Sequence, residues 1–327
     1  LSKLQSSTPA DPPEKVIELI TSELGDTPEN TFREFDPVAF ASASIGQVHH
    51  AVLKDGKVVV VKVQHDGIEE RVRNDLEILI QLADLAEHYS KEISRYRPLA
   101  TAREFAKTLR DELDFTREQN NLARFAHNFA GDAMITIPVS HPDCCSRRIL
   151  TMDRLDGIEL SKGEALQTSG FDLTDIAKRG ANMFLQMVFR DGFYHADPHP
   201  GNLMVLEHAA IGLLDCGMVG RVDEDLREQI EDLLLAAIDR DSKRLLESVV
   251  ELGEIPPDFD RALLQDELVN FMDDFGGQSI DQFDLSSSLN GMTEIIRQHH
   301  ILLPSKVSLL IKMLVMLEGT AHQLSPD

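Results

Sequence analysis

The apolar positions change period along the chain. Val16, Ile17, Leu19, Ile20 and Leu24 form a helical stripe. Asp11 is a candidate cap, Pro12 and Pro13 suit a first turn, and Gly25 ends the pattern. Residues 1–30 therefore read as a preliminary helical segment. Between 36 and 64 the spacing tightens. Ile45, Val48, Val52, Val58, Val59, Val60, Val61 and Val63 suit strands, and Lys54-Asp55-Gly56-Lys57 is a hairpin turn signal. Residues 66–90 and 99–129 read as two long helices, and Ser146 to Met152 as a strand, followed by the Asp156-Gly157 punctuation. Ile176, Ala177, Phe184, Leu185 and Val188 mark a further helix, and Tyr194 to Asn202 a loop. The runs Leu203-Met204-Val205-Leu206 and Ile211-Gly212-Leu213-Leu214 resemble a second hairpin. From 223 to 319 only helices are expected. A strand-bearing first half and a helical second half, hinged near 153–158, follow from this pattern.

The length, 327 residues, fits two units of roughly 150 residues or one two-lobed fold. Hydrophobic residues at 42% and charged residues at 27% are ordinary for a globular chain, so disorder and disulfide scaffolds are excluded. Acids outnumber bases 56 to 32, a net charge of −24 that argues against nucleic acid as a partner. Cys144, Cys145 and Cys216 show no metal-ligand spacing, and the adjacent pair is badly placed for a disulfide, which suggests a reducing compartment. The opening Leu1-Ser2-Lys3-Leu4-Gln5 is not a signal peptide and lacks Met, so a trimmed chain is expected. The run Leu309 to Leu317 is short and contains Lys312, which fits a buried helix rather than a membrane span.

The densest polar cluster is His195-Ala196-Asp197-Pro198-His199-Pro200-Gly201-Asn202, followed by Asp215-Cys216-Gly217 at the end of an apolar run. Phosphoryl transfer needs Mg²⁺ on oxygen ligands, a carboxylate beside the attacking oxygen and cations on the phosphates. A loop Asp followed five residues later by Asn, then an Asp-x-Gly after a hairpin, matches that requirement. Asp197 would sit at the attacking group, while Asn202 and Asp215 offer the hard oxygens Mg²⁺ prefers. Alone, the His-x-Asp string would be explained equally well as a capped turn. A Zn²⁺ site on His195 and His199 is another reading, though no third soft ligand lies near in sequence.

Lys62, in the strand Val60-Val61-Lys62-Val63, matches the strand lysine that contacts α- and β-phosphates. In isolation it would be read as a lysine snorkelling from an edge strand. Its ammonium needs a carboxylate partner, and among Asp111, Glu112, Asp114 and Glu118 we select Glu118. Glu112 and Glu118 cannot face one site on an unbroken helix. Ahead of the lysine, Ala41-Ser42-Ala43-Ser44-Ile45-Gly46 stands where a glycine-rich phosphate loop is expected, and read alone is a bland turn. Its small side chains permit close approach to phosphates, and its alanines make it stiffer than glycines would.

Together these segments resemble the UbiB family, the atypical kinase-like proteins linked to ubiquinone biosynthesis. The resemblance rests on Ala41 to His49, Val61-Lys62-Val63-Gln64, Glu112-Leu113-Asp114-Phe115 with Glu118, His195 to Asn202, Leu214-Asp215-Cys216-Gly217 and Leu317-Glu318-Gly319. It implies an α+β, protein-kinase-like two-lobed fold, with a small strand-bearing N-lobe and a mostly helical C-lobe. The divisions would be an N-terminal extension at 1–35, an N-lobe at 36–155 and a C-lobe at 156–327. Lys62 would contact phosphates and pair with Glu118, and Ala41 to Gly46 would cover the nucleotide. Met152, Asp153 and Leu155 would lie on the adenine side. Asp197 would be the catalytic-loop aspartate, Asn202 and Asp215 the metal ligands, and Glu112 and Asp114 the family's E-x-D signature.

The implied activity is Mg²⁺-dependent phosphoryl transfer from ATP to water or a small lipid-like acceptor, with protein substrates disfavoured by the missing A-P-E segment. The alternative is a nucleotide-sensing scaffold that recruits biosynthetic partners without turnover. A small-molecule kinase of the antibiotic or choline type shares His-x-Asp-x-x-x-x-Asn but lacks the alanine loop and the Pro-His-Pro string. Expected partners are a nucleotide, quinone precursors, lipids or a membrane surface, and biosynthetic proteins. The expected setting is the cytoplasmic side or an organelle interior, with peripheral membrane association. Two departures stand out. Lys3-Leu4-Gln5 is not the family's K-x-G-Q element, and Cys216 replaces the usual Phe after the metal-binding Asp.

Overall fold

The computed structural model describes residues 9–94, 97–257, 259–275 and 285–325. Lys3-Leu4-Gln5 lies outside them. The chain divides into two compact units, Leu1–Asp156 with Leu213–Gly217, and Gly157–Gly212 with Met218–Asp327.

The first unit opens with α1 (Pro13–Leu24) and α2 (Pro28–Thr31). Gly25, left-handed at φ 76°, ends α1 by donating to Thr21 O at 3.0 Å, the conformation that favours glycine. Asp11 does not cap this helix. Pro12 holds the cap position, and the Asp11 carboxylate is engaged elsewhere, accepting from Asp66 N at 2.8 Å.

Next come β1 (Glu34–Phe35), β2 (Ala41–Ser42), β3 (Gly46–Val52) and β4 (Val58–Gln64). The expected hairpin is present, with Val48 opposite Lys62 and Val52 opposite Val58. Its turn uses Gly56 at φ 92°, and Asp55 Oδ1 accepts from Lys57 N. The period of two turns Val59, Val61 and Val63 inward. They share a core with Val16, Leu19 and Ile20 of α1, with Phe32 and with Ile149, so the segment read as an extension packs on the sheet. Lys62 points to the opposite face.

The helices α3 (Ile68–Tyr89), α4 (Lys91–Ser94), α5 (Pro98–Glu112) and α6 (Phe115–Asn128) follow. The helix expected over 99–129 is thus two helices, broken at Leu113 and Asp114. Asp114 caps α6, accepting from Thr116 N at 3.1 Å and Thr116 Oγ1 at 2.6 Å. The short β5 (Ile135–Thr136) then precedes the sheet's last strand, β6 (Ile149–Asp153), which runs antiparallel to β4 with Leu150 opposite Lys62.

In the second unit, β7 (Gly157–Glu159) is followed by α7 (Gly163–Thr168) and by α8 (Leu173–Leu185), which continues as a wide π turn over Gln186–Arg190. β8 (Phe193–His195) comes next, so the start of the expected loop is a strand. Its backbone is satisfied by β11 (Val219–Arg221), with His195 opposite Val219. Between them lie β9 (Leu203–Leu206), paired with β7, and β10 (Ile211–Leu213), the second hairpin. α9 (Glu224–Ile238), α10 (Ser242–Leu252), α11 (Arg261–Phe275), α12 (Leu285–Gln298) and α13 (Ser305–Leu324) complete it. Asp223 and Asp241 cap α9 and α10. Ala236, Leu245, Val249, Leu264, Leu268 and Ile296 form one core. One bridge, Glu254 with Leu302, joins loops where only helices were expected. In α13, Val307, Leu310, Met313 and Leu317 are buried and Lys312 is exposed, an amphipathic rather than wholly buried helix. Among the described residues no helix is long and apolar enough to cross a membrane.

Candidate active site

In the first unit the chain converges on Lys62. Its Nζ lies 2.8 and 2.9 Å from the two Glu118 oxygens and 2.8 Å from Asp215 Oδ2. The ring of Phe115 lies 5.9 Å from the ammonium, within cation–π range. Three charges thus meet, two negative and one positive.

Local structure explains the convergence. Lys62 sits mid-strand, between paired neighbours in β3 and β6. Two residues on, Gln64 Nε2 donates to Leu113 O at 2.5 Å, and Phe115 N donates to Arg147 O at 2.9 Å. These bonds pin the break between α5 and α6 to the end of the lysine strand, and the break sets Glu118 in the first turn of α6 facing Lys62. The Asp215 loop is held by the same helix. Cys216 N donates to Glu118 Oε1 at 3.2 Å, and Asn121 Nδ2 donates to Cys216 O at 2.8 Å. Asp215 Oδ1 accepts from Gly217 N at 2.8 Å.

Burial by itself disfavours the Lys62 ammonium, but the charges of Asp215 and Glu118 and their hydrogen bonds overcome it and hold its pKa well above the ordinary value. Glu118 is pushed upward by burial and then by the neighbouring Asp215 charge, with Lys62 opposing. Burial, with the Glu118 and Asp215 charges, also raises the Cys216 thiol well above its usual range, so it packs as an inert group.

The small-residue stretch is a hairpin rather than a plain turn. Ala41 and Ser42 pair with Val48 and Gln47, and Ala43 N donates to Gly46 O at 2.8 Å. None of its residues has a positive φ. Gly46 is required by close approach instead: a Cβ there would lie 2.6 Å from Val63 O. Met152 is buried in β6. Asp153 accepts from His141 Nε2 at 2.7 Å and pairs with Lys57 Nζ at 2.9 Å, and Leu155 is partly buried just beyond the strand. Asp114 is a helix cap and Glu112 ends the preceding helix, so the two signature acids belong to different helices.

In the second unit, Asn202 Nδ2 donates to both the carbonyl and Oδ2 of Asp197, each at 3.1 Å. The loop is braced from within. Asp197 N donates to His195 Nδ1 at 3.1 Å, Gly201 N to His199 Nδ1 at 3.0 Å, and Thr320 Oγ1 to Pro198 O at 3.0 Å. His195 and His199 each commit a ring nitrogen to a backbone N–H, which disfavours the zinc reading. Among the described residues no group of three or more His, Cys, Asp or Glu side chains is arranged to hold a metal.

The structure therefore brings Lys62, Glu118 and Asp215 together in one unit, and Asp197 and Asn202 together in the other. Sequence reasoning gave no role at the site to Gln64, Asn121 or His65 and read Asp11 only as a helix cap, whereas all four hold the site's backbone. The signal for Gln64 and His65 was legible: two polar residues directly follow a valine run of which Val59, Val61 and Val63 are buried.

A strand lysine paired with a helix glutamate, and an Asp-x-Gly loop, define the kinase-like class. The ABC1 atypical kinase-like domain matches residues 3–249, and the UbiB helical domain matches residues 268–327. The chain belongs to this ABC1/UbiB family. It is 32% identical over 336 residues to a probable protein kinase UbiB of Glaesserella parasuis, covering all of this chain and 61% of that protein. It is 32% identical over 331 residues to one of Pseudomonas aeruginosa, covering all of this chain and 62% of that protein. An uncharacterized protein from a hydrogenase 1 5′ region of Clostridium pasteurianum is 31% identical, with 61% of its length covered. This chain therefore spans about three fifths of these relatives. A Mycobacterium tuberculosis protein solved in complex with erythromycin shares the fold, with a TM-score of 0.73 at 22% identity, covering 99% of this chain and 81% of that one.

Proposed function

We propose that the protein binds ATP with Mg²⁺ and transfers the terminal phosphoryl group to water or to a small lipid-like acceptor, in support of quinone-lipid synthesis. The observation that carries this reading is the Lys62 ammonium held between the Glu118 and Asp215 carboxylates. A buried lysine so paired stays charged and fixed, ready to meet phosphate oxygens. Each donor suits the metal by its own chemistry. Asp215 is partly exposed, with a side-chain exposure of 42%. Asn202 directs its amide N–H groups at Asp197, which leaves its carbonyl oxygen as a hard ligand. Asp215 and Asn202 would hold Mg²⁺, which neutralises phosphate charge when bound.

The remaining work belongs to the chain. Asp197 orients the acceptor and takes its proton. The Ala41–Gly46 hairpin covers the phosphates, and Met152, Asp153 and Leu155 flank the base. Glu118 keeps Lys62 in place. Glu112 and Asp114 carry the family signature, and their order around the helix break gives Glu118 its position. Lipids, a membrane surface and biosynthetic proteins are the proposed partners.

The test is a melting-temperature series with ATP and ADP, each with and without Mg²⁺, followed by phosphate release with and without lipid vesicles. Mg-dependent stabilisation by ATP, lost in Asp215→Asn, and phosphate release, lost in Asp197→Asn, are the expected results. Unchanged Mg–ATP stabilisation in Asp215→Asn would remove the metal assignment. Binding without phosphate release would replace the enzyme reading with a nucleotide-sensing scaffold.

A further inference from the structure

Asp11 precedes α1, far in sequence from the lysine strand, yet it touches the residues that follow Lys62. Its Oδ2 accepts from His65 Nδ1 at 3.1 Å and from Asp66 N at 2.8 Å. Its own N–H donates to Gln47 Oε1 at 2.6 Å. Gln47 Nε2 donates in turn to His49 Nε2 at 3.0 Å, and His49 Nδ1 donates to Asp36 O at 2.9 Å. Gln47, His49 and His65 are 1%, 0% and 2% exposed. Three buried polar side chains beside the small-residue hairpin are costly unless fully satisfied, and a satisfied network enforces one conformation.

His65 delivers that constraint to the hairpin. Its Nε2 lies 3.0 Å from Ala43 O and 3.5 Å from Ser42 Oγ, and its backbone N donates to Ile45 O at 3.1 Å. Ala43 O and the Asp11 carboxylate are both acceptors, and the ring lies between them with one nitrogen within hydrogen-bond distance of each. The consequence is geometric. In a planar trans peptide the C=O and the following N–H point opposite ways. With the carbonyls of Ala43 and Ile45 tied to His65, the N–H groups of Ser44 and Gly46 are turned away from it.

We propose that Asp11 and His65 are positioning residues for the hairpin, fixing its peptide planes so that backbone N–H groups are presented to the nucleotide's phosphates. This rests on the ATP-binding reading above. It explains how a loop lacking the usual glycines is set: the segment before α1 supplies the orientation that sequence alone does not. Breaking the contact lets the Ala43–Ser44 peptide rotate, and the nucleotide with more phosphate at the loop is affected most.

The experiment uses the full chain with Asp11→Ala, His65→Ala and His65→Gln. Lys15→Ala, which removes only the exposed Lys15–Asp66 pair, is the control. Hydrogen exchange without nucleotide reports the hairpin directly. Asp11→Ala and His65→Ala should speed exchange at 43–47 about fivefold, the equivalent of one hydrogen bond, leaving β6 unchanged. Calorimetry should show their ratio of ATP to ADP affinity shifting by about fivefold. His65→Gln, whose amide can still donate to Ala43 O, should restore most of both, and Lys15→Ala should move neither.

A lower melting temperature with an unchanged ratio would make the network merely structural and overturn the proposal, whether or not exchange rises. If the alanine variants fail to fold, His65→Gln decides. A ratio within about twofold of the parent, set against a full shift in a His65→Leu variant of similar bulk, supports the donor role, and equal ratios in the two overturn it. Parent protein that binds neither nucleotide overturns the functional reading instead, and with it this role.

Discussion

Cys216 N–H donates to Glu118 Oε1 across 3.2 Å, so the carboxylate that pairs with Lys62 also holds the peptide following Asp215. One side chain therefore links the strand lysine to the Asp-x-Gly loop. Glu118→Gln keeps a carbonyl to accept from Cys216 but loses the charge. Glu118→Ala loses both. Urea unfolding should show Glu118→Ala destabilised by about 3 kcal/mol, the combined cost of leaving a buried charge short of a partner and the Cys216 N–H without its acceptor, and Glu118→Gln by clearly less. Nucleotide affinity should fall in both. Equal destabilisation by the two would mean that the Cys216 bond contributes nothing.

Lys62 holds two carboxylates at one point, and its removal should appear as pH dependence. Its own pKa is raised above the ordinary 10.5, so the stability it contributes is fully present below 10.5 and declines only as pH climbs toward the folded value. Across pH 4 to 8 the parent therefore gains or loses nothing from this lysine titrating. Glu118 is already raised above 4.5 by burial and by Asp215, and Lys62 is what opposes that rise. In Lys62→Met the rise is larger. A raised carboxylate contributes stability below its unfolded value and loses it as pH rises through the folded one. The deficit of Lys62→Met relative to the parent should accordingly grow from pH 4 to pH 8, by about 1.4 kcal/mol for each unit of additional shift. A deficit that stays flat over that range would show that Lys62 does not oppose the rise of Glu118.

Much of this arrangement was legible before the structure. The valine run with a lysine in it, the turn at Asp55-Gly56 and the Asp197–Asn202 spacing rest on local rules, a period of two and fixed turn chemistry, and such rules survive in any context. Glu118 could be chosen because a strand lysine requires a carboxylate. The helix break at Leu113 was not legible, because the angle between Glu112 and Glu118 said only that an unbroken helix cannot turn both to one site, and the break is fixed by Gln64 and Arg147 from other elements. Asp11 was misjudged for the same reason: its local context is a helix start, whereas its partners are Gln47, His65 and Asp66. The strand at Phe193 was hidden because its backbone partner, Val219–Arg221, is remote in sequence.

The hairpin before the lysine strand offers two opposed substitutions. Gly46→Ala places a Cβ 2.6 Å from the Val63 carbonyl, a backbone atom that cannot swing aside. The strands must part next to Lys62, and we expect a loss of about 1–3 kcal/mol by urea unfolding, together with weaker nucleotide binding. Ala43→Gly creates no clash and widens the conformations open to the turn, costing about 0.5–1 kcal/mol in backbone entropy. Its expected effect is on ATP against ADP preference, read by calorimetry. An unaltered preference would mean that the hairpin does not cover the phosphates.

The loop around Asp197 is set from its own backbone, and this gives a test separating position from chemistry. His195 is buried, stacks edge-on against Phe184 and accepts from Asp197 N at 3.1 Å. With Asn202 on the Asp197 carboxylate, this bond fixes where the carboxyl group lies. His195→Ala leaves the part-buried Asp197 N–H without its acceptor, and the side chain it orients can drift. If Asp197 takes the acceptor's proton, phosphate release should slow about tenfold in His195→Ala with nucleotide affinity nearly unchanged, because a small displacement matters more to a reacting group than to a bound one. His195→Asn places a carbonyl oxygen near the lost Nδ1 and should recover much of the rate. A loss of affinity equal to the loss of rate would instead mean that the loop serves binding alone, and identical rates in all three proteins would mean that His195 does not set the position of Asp197.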